Sequence, residues 1–332
     1  MTKKLLLTFA FLLIPHLIFS DDLQEIIVLE KKITSLDGWT DNQSISSLDK
    51  EELEELDAQH PKQIFRRLPG VWISRGSGQE HLTAIRSPVL TGPGACGSFL
   101  VLEDGLPVRP TGFCNVNGLF ETFFEMASGV ETINGPASAR YGANAMHGVI
   151  NVLSTPISSN NKIYANIGPN NYKNFKIRGG NQSDWSFDGF FANNDGFRDQ
   201  SGYDQQKVKI NSNLSIASWE GTLSATLTNL NQETAGYING LDSYKDENLS
   251  KRNFNPDAYR DANSQRLSLR LMKEDGNALN TITSYIRNND MKFFQHFLPG
   301  TPLEENNHTS FGIVVQSINN YKNFNLVRGC LL

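Results

Sequence analysis

The stretch TGPGACGSF, Thr91 to Phe99, places Gly92, Gly94 and Gly97 in the spacing G-x-G-x-x-G. That spacing cradles a pyrophosphate when a strand feeds a tight turn and a helix then begins. The flanks do not supply this context. Gly97 is followed by SFLVLEDGLPV, in which Phe99 to Leu102 is apolar and β-favouring and Glu103-Asp104-Gly105 is a turn signal. Pro93 also removes one of the amides a phosphate would use. The glycines are expected instead to let a loop fold tightly around Cys96. There is no G-x-x-x-x-G-K-[ST], G-x-S-x-G, H-E-x-x-H or C-x-x-C, and the six histidines are scattered through the chain. The reading is of a protein that is not an enzyme, with no catalytic residues, no cofactor and no metal ligands of its own.

The elements around this loop belong to an exported chain. Lys3 and Lys4 precede an apolar run from Leu5 to Phe19, and Ser20 supplies a small residue before Asp21, which is secretory signal architecture over residues 1–20. A membrane anchor is the alternative, but Pro15 and His16 break the run, which is shorter than the roughly 20 residues of a spanning helix. With 332 residues, 20% charged side chains and a formal net charge of -5, the chain can bury a core and offers no long polybasic patch, so nothing points to nucleic acid. In an oxidising compartment Cys96 and Cys114, in one Gly/Pro-rich stretch, are expected to pair and to stabilise by about 3 kcal/mol. Two unrelated buried thiols are the alternative.

From Ile45 to Thr155 the chain reads as a compact α+β domain. Asp49 with Glu52 is a capping-box start for a helix through Asp57, and His60-Pro61 starts a second that Pro69-Gly70 stops. Short strands are expected at Val71–Ile73, Leu82–Ile85, Phe99–Leu102, Val130–Ile133 and Val149–Leu153.

After Pro156 the pattern changes to period two, the mark of half-buried strands. Val208, Ile210, Leu214 and Ile216 share one face, and Lys207, Lys209, Asn211 and Asn213 share the other. Leu267, Leu269 and Leu271 alternate likewise with Arg266, Ser268 and Arg270, and Phe190 breaks a similar segment around Trp185, Phe187 and Phe191. A soluble sandwich alternates too. Short connections at Pro169-Asn170 and Ala217-Ser218, against a long polar one from about Asn231 to Asn263, favour an antiparallel transmembrane β-barrel with lipid on the apolar face and polar residues, including Arg266 and Arg270, lining a wet lumen.

These two parts resemble the plug and barrel of TonB-dependent outer-membrane receptors. The most specific stretch is VETINGPASARYGANAMHGVINVLS, Val130 to Ser154, where Gly135, Pro136, Ser138, Tyr141, Gly142, Gly148, Val149, Ile150 and Asn151 occupy the family's plug positions. IFRRLPGV (Ile64 to Val71) and AIRSP (Ala84 to Pro88, containing Arg86) resemble two further plug segments. EIIVLE resembles the box that docks a TonB-type periplasmic energy-transducing protein, through Glu25, Ile26, Ile27, Val28 and Leu29. A β-branched extended segment suits strand addition to a partner's sheet, and a local plug strand is the alternative. The resulting division is a signal at 1–20, box and linker at 21–44, plug at 45–155 and barrel strands at 156–332.

The resemblance implies uptake of a scarce ligand, a ferric siderophore first, with cobalamin or another metal chelate behind it. Ligand contacts are expected from plug apices and outer loops, with Phe99, Arg109, Phe113, Phe294 and His296 as candidates. The family's plugged barrels have 22 strands and need roughly 220 residues for the wall alone at about 10 per strand. Only about eight strands are counted here, so the expectation is an incomplete barrel and a chain that is the front part of a receptor. The alternatives are a secreted or periplasmic binding module and a remnant without function.

Overall fold

The computed structural model describes residues 44–90, 96–110, 113–114, 116–142, 144–158, 160–295, 298–321 and 324–331. The signal and box segments, Gly92, Gly94 and His296 lie outside the described residues.

The first unit holds β1 (Ile45–Leu48), α1 (Lys50–Leu56), α2 (Pro61–Phe65), β2 (Val71–Ile73), β3 (Thr83–Ile85), β4 (Phe99–Glu103), β5 (Leu106–Pro107), β6 (Gly129–Asn134), α3 (Ser138–Tyr141) and β7 (Gly148–Leu153). Both expected helix starts are present. Asp49 accepts from the Glu52 amide at 3.0 Å while the Glu52 carboxylate accepts from the Asp49 amide at 2.9 Å. At α2 the cap is the buried His60, whose Nδ1 accepts from the Lys62 amide at 3.1 Å, with Pro61 following. The sheet runs β1-β6-β7-β4-β5, with β4 and β7 parallel, and β2 pairs with β3 apart from it. Ile64, Phe65, Phe99, Val101, Leu119, Val130 and Ile150 fill the core between sheet and helices.

The second unit is one continuous antiparallel sheet of nine strands, one more than the sequence count. They are β8 (Lys162–Gly168), β9 (Tyr172–Gly180), β10 (Trp185–Asn194), β11 (Tyr203–Ile216), β12 (Trp219–Glu233), β13 (Tyr259–Asp275), β14 (Ala278–Phe294), β15 (Leu303–Tyr321) and β16 (Phe324–Leu331). Among the described residues the sheet does not close on itself, and β8 and β16 are its edges. Each strand pairs with the next in sequence, so successive connections alternate between the two ends. This corrects the grouping of the short turns. Ala217-Ser218 lies at one end, whereas Pro169-Asn170 lies at the other, with the long connection that runs from 234 to 258 once β12 and β13 have reached their full lengths.

The two faces of this sheet are inverted relative to a soluble protein. Ile210 is 47% exposed, Leu227 52% and Phe311 84%, while Lys207 is 0% exposed on the opposite face. The inward face wraps the first unit, which is therefore a plug. Phe190, which breaks the alternation in sequence, points inward and packs with Phe120, Phe123, Tyr203 and Leu230 in an apolar contact between plug and wall. Its apparent misplacement is a docking contact.

Candidate functional site

The polar inner face is expected to be wet, and the structure instead fills it with plug carboxylates. Lys207 on β11 donates to both oxygens of Glu125 at 2.8 and 2.9 Å and to the Thr122 carbonyl at 2.6 Å. Two residues along, Lys209 meets Glu103 at 2.7 Å and Asp104 at 2.9 Å, and Arg266 on β13 reaches Glu103 at 2.8 Å. Lys176 on β9 pairs with Asp57 at 2.6 Å, and Lys162 on β8 with Glu54 at 3.1 Å. Arg270 donates to the Asp104 carbonyl at 2.7 Å, and Arg287 donates to the Pro107 carbonyl. Each cation comes from the wall and each acceptor from the plug.

The elements that present these groups follow from local sequence. Glu103-Asp104-Gly105 is the turn between β4 and β5. Asn151 on β7 accepts from the Gly105 amide at 3.0 Å, while Asp104 accepts from the Ser154 amide at 2.9 Å and hydroxyl at 2.6 Å. The turn is thus held from below before it meets Lys209. Glu121 and Glu125 sit on two 3-10 turns, Gly118–Glu121 and Phe124–Met126. Glu121 receives two bonds from Arg109, at 2.9 and 2.6 Å, and one from Asn289 of the wall at 2.7 Å.

Burial alone would raise the carboxyl pKa of both Glu103 and Glu125. For Glu103 the Arg266 and Lys209 charges outweigh burial and hold it below the ordinary value. Glu125 has Lys207 close by and Lys176 further off, and its pKa remains raised. A cavity of about 340 Å³ adjoins this region between α1 and the first wall strands, lined in part by Asp57, Glu125, Lys176 and Arg178.

Most of the plug-motif residues lie on β7 and on the connection that leads to it from β6. Gly148 allows β7 to approach β6, since a Cβ there would lie 2.2 Å from the Ile133 carbonyl oxygen. Gly135, Pro136, Ser138, Tyr141 and Gly142 shape the β6 to β7 connection, which contains α3, and the Tyr141 ring lies 5.2 Å from the Arg140 guanidinium. Arg86 ties β3 to the far edge of the sheet, donating to the Asn134 carbonyl at 3.0 Å and the Ser44 hydroxyl at 2.9 Å.

The four described ligand candidates, Phe99, Arg109, Phe113 and Phe294, do not form one site. Cys96 and Cys114 are joined, and on their loop Arg109 donates to the Cys114 carbonyl while the Phe113 ring lies 4.3 Å from the His308 ring of β15. Phe99 packs fully buried in the plug core and has no face for a ligand. Phe294 belongs to the outward set of β14 beside Tyr259, with ring centroids 6.0 Å apart, whereas its neighbour Phe293 turns inward under Arg260 at 3.7 Å. In a strand a shift of one residue exchanges the faces. The pairing between plug acids and wall cations does not follow from the local sequence pattern, although alternation sets Lys207, Lys209, Arg266 and Arg270 on the inward face. The turn Glu103-Asp104 was the available signal for their partners.

This geometry defines a class of fold, a plug domain seated against the inner face of an open antiparallel sheet. Residues 40–149 match the family model of the TonB-dependent Receptor Plug Domain. Among solved structures, the ferric citrate transporter FecA in the unliganded form is similar at a TM-score of 0.67 and 16% identity, over 83% of this chain and 44% of that one. The ferric yersiniabactin uptake receptor FyuA from Yersinia pestis is similar at 0.66 and 16%, over 87% and 48%. The siderophore receptor PiuA from Acinetobacter baumannii gives 0.63 and 16%, over 84% and 43%. The chain thus spans less than half the length of these receptors. Residues 40–149 thus match a plug domain of that family, and the sheet that follows shares the fold of these solved structures.

Proposed function

We propose that the chain serves active import across an outer membrane, as the plug and first wall strands of a receptor for a ferric siderophore or a comparable metal chelate. The observation that carries this reading is the plug seated by ion pairs against the inner face of a sheet whose outer face is apolar. Such a plug blocks passage while seated and opens it when moved. Energy for that movement comes from an inner-membrane complex acting through a TonB-type protein on Glu25 to Leu29, which add a strand to the partner's sheet. Ligand capture belongs to the end of the wall that bears the 234–258 connection, where Arg109 and Phe113 present the cystine loop. Export through the signal at 1–20 places the chain in the outer membrane, with lipid as the neighbour of Ile210, Leu227 and Phe311.

The test is uptake of a panel of radiolabelled iron chelates by cells making the chain, compared with an Ile27→Pro variant. Proline removes a backbone donor from the added strand. Energy-dependent uptake that the variant abolishes, with surface binding retained, is the expected result. A chain that stays soluble without detergent, or uptake indifferent to Ile27→Pro, overturns the reading.

A further inference from the structure

The wall cations are not scattered over the inner face. Lys162, Arg178, Asp188 and Lys209 are successive register partners across β8, β9, β10 and β11. The same row continues through Thr226 on β12 to Arg266 on β13 and Arg287 on β14. One hydrogen-bonded row across seven strands therefore carries five cations and a single carboxylate, Asp188, which is committed to Arg178 at 2.5 Å. Lys176 and Lys207 lie one inward row to one side, and Arg270 lies on the other. The counter-ions of this belt sit on the plug: Glu54, Asp57, Glu103, Asp104 and Glu125.

The geometry points to a binding surface that exists only when the plug moves, a cationic belt on the inner wall that takes a polyanionic chelate in place of the plug carboxylates. Withdrawing Glu103, Asp104 and Glu125 leaves Lys207, Lys209 and Arg266 without their carboxylate partners, which costs the attraction those pairs supply. An anionic ligand carrying several carboxylates or phenolates replaces those acceptors and offsets that cost, whereas a cationic chelate meets repulsion. The belt thus couples opening to the presence of the ligand and sets its charge class. The same chemistry is used by pores whose Arg and Lys rings select anions.

This inference rests on the import reading, and the experiment separates the two. The whole chain, in detergent micelles, is taken to the urea concentration that unseats the plug, and equilibrium dialysis reads binding of a trianionic ferric tris-catecholate against a cationic ferric hydroxamate. The expected result is several-fold tighter binding of the anionic chelate once the plug is unseated, reduced in an Arg270→Gln, Arg287→Gln variant. Those two arginines bond plug carbonyls at Asp104 and Pro107. Equal binding of the two chelates, or binding of neither on unseating, overturns the belt. Preference for the anionic chelate without energised uptake of any chelate leaves the belt standing and removes the import reading. Energised uptake without that preference does the reverse.

Discussion

At the scale of single residues, the interface holds together through buried ion pairs whose partners come from different units. Lys207 and Glu125 are both fully buried, so Lys207→Met leaves a carboxylate without its cation and lowers plug stability by about 3–5 kcal/mol. Pairing it with Glu125→Leu recovers most of the loss, since an apolar pair of similar volume replaces buried ions at little cost. Urea unfolding followed by protease sensitivity of the plug checks both variants. Two histidines add a pH dependence. Burial lowers His60 to about 4 and His81 to about 3, from 6.5. In the unfolded chain both take up protons below about pH 6.5, while in the folded plug they stay neutral until much lower pH. Their contribution is therefore present above pH 6.5 and lost as the pH falls, by about 2 kcal/mol per histidine between pH 7 and 5. A urea midpoint that does not fall between these pH values contradicts the assignment. The helix start at His60-Pro61 is legible in the sequence, but the burial of His60 and His81 is not, because each is recruited for a backbone bond. His60 caps α2, and His81 sits between the Gln79 carbonyl at 2.8 Å and the Leu119 amide at 3.3 Å.

At the scale of elements, the strands were legible wherever one face is apolar and the other polar. The pattern from Lys207 to Ile216 fixes which side of β11 faces lipid, and the structure extends that strand back to Tyr203. Leu227→Arg places a charge on the lipid side and is expected to cost about 2–4 kcal/mol near the bilayer midplane. Arg at the inward neighbour Thr228 is tolerated better on the lipid count. Folding yield into vesicles distinguishes the two, and equal yields contradict the assigned faces. The α1 cap was equally legible, and Asp49→Ala is expected to cost about 1 kcal/mol. What the local pattern could not show was β1, β5 and the 3-10 turns. These pieces are short, and two of them are set by neighbours distant in sequence: β1 by β6, and the 3-10 turns by the wall. Phe190 and Phe294 failed for the same reason, since the partner of a side chain is not written in the strand that carries it.

At the scale of the whole molecule, the plug is an acidic insert in a basic arc of wall, and its position depends on that complementarity. The resemblance in sequence supplied the plug and barrel, while the seat emerged only when Glu103-Asp104 met Lys209 and Arg266 across more than a hundred residues. The most direct test is zero-length carbodiimide coupling of the chain in outer membranes, followed by mass spectrometry. This reagent joins a lysine to a carboxylate only in contact. Lys176 to Asp57 and Lys162 to Glu54, at 2.6 and 3.1 Å, are the predicted products. Coupling confined to pairs within the plug, such as Lys50 to Glu54, with none to the wall, would contradict the seated plug on which the account rests.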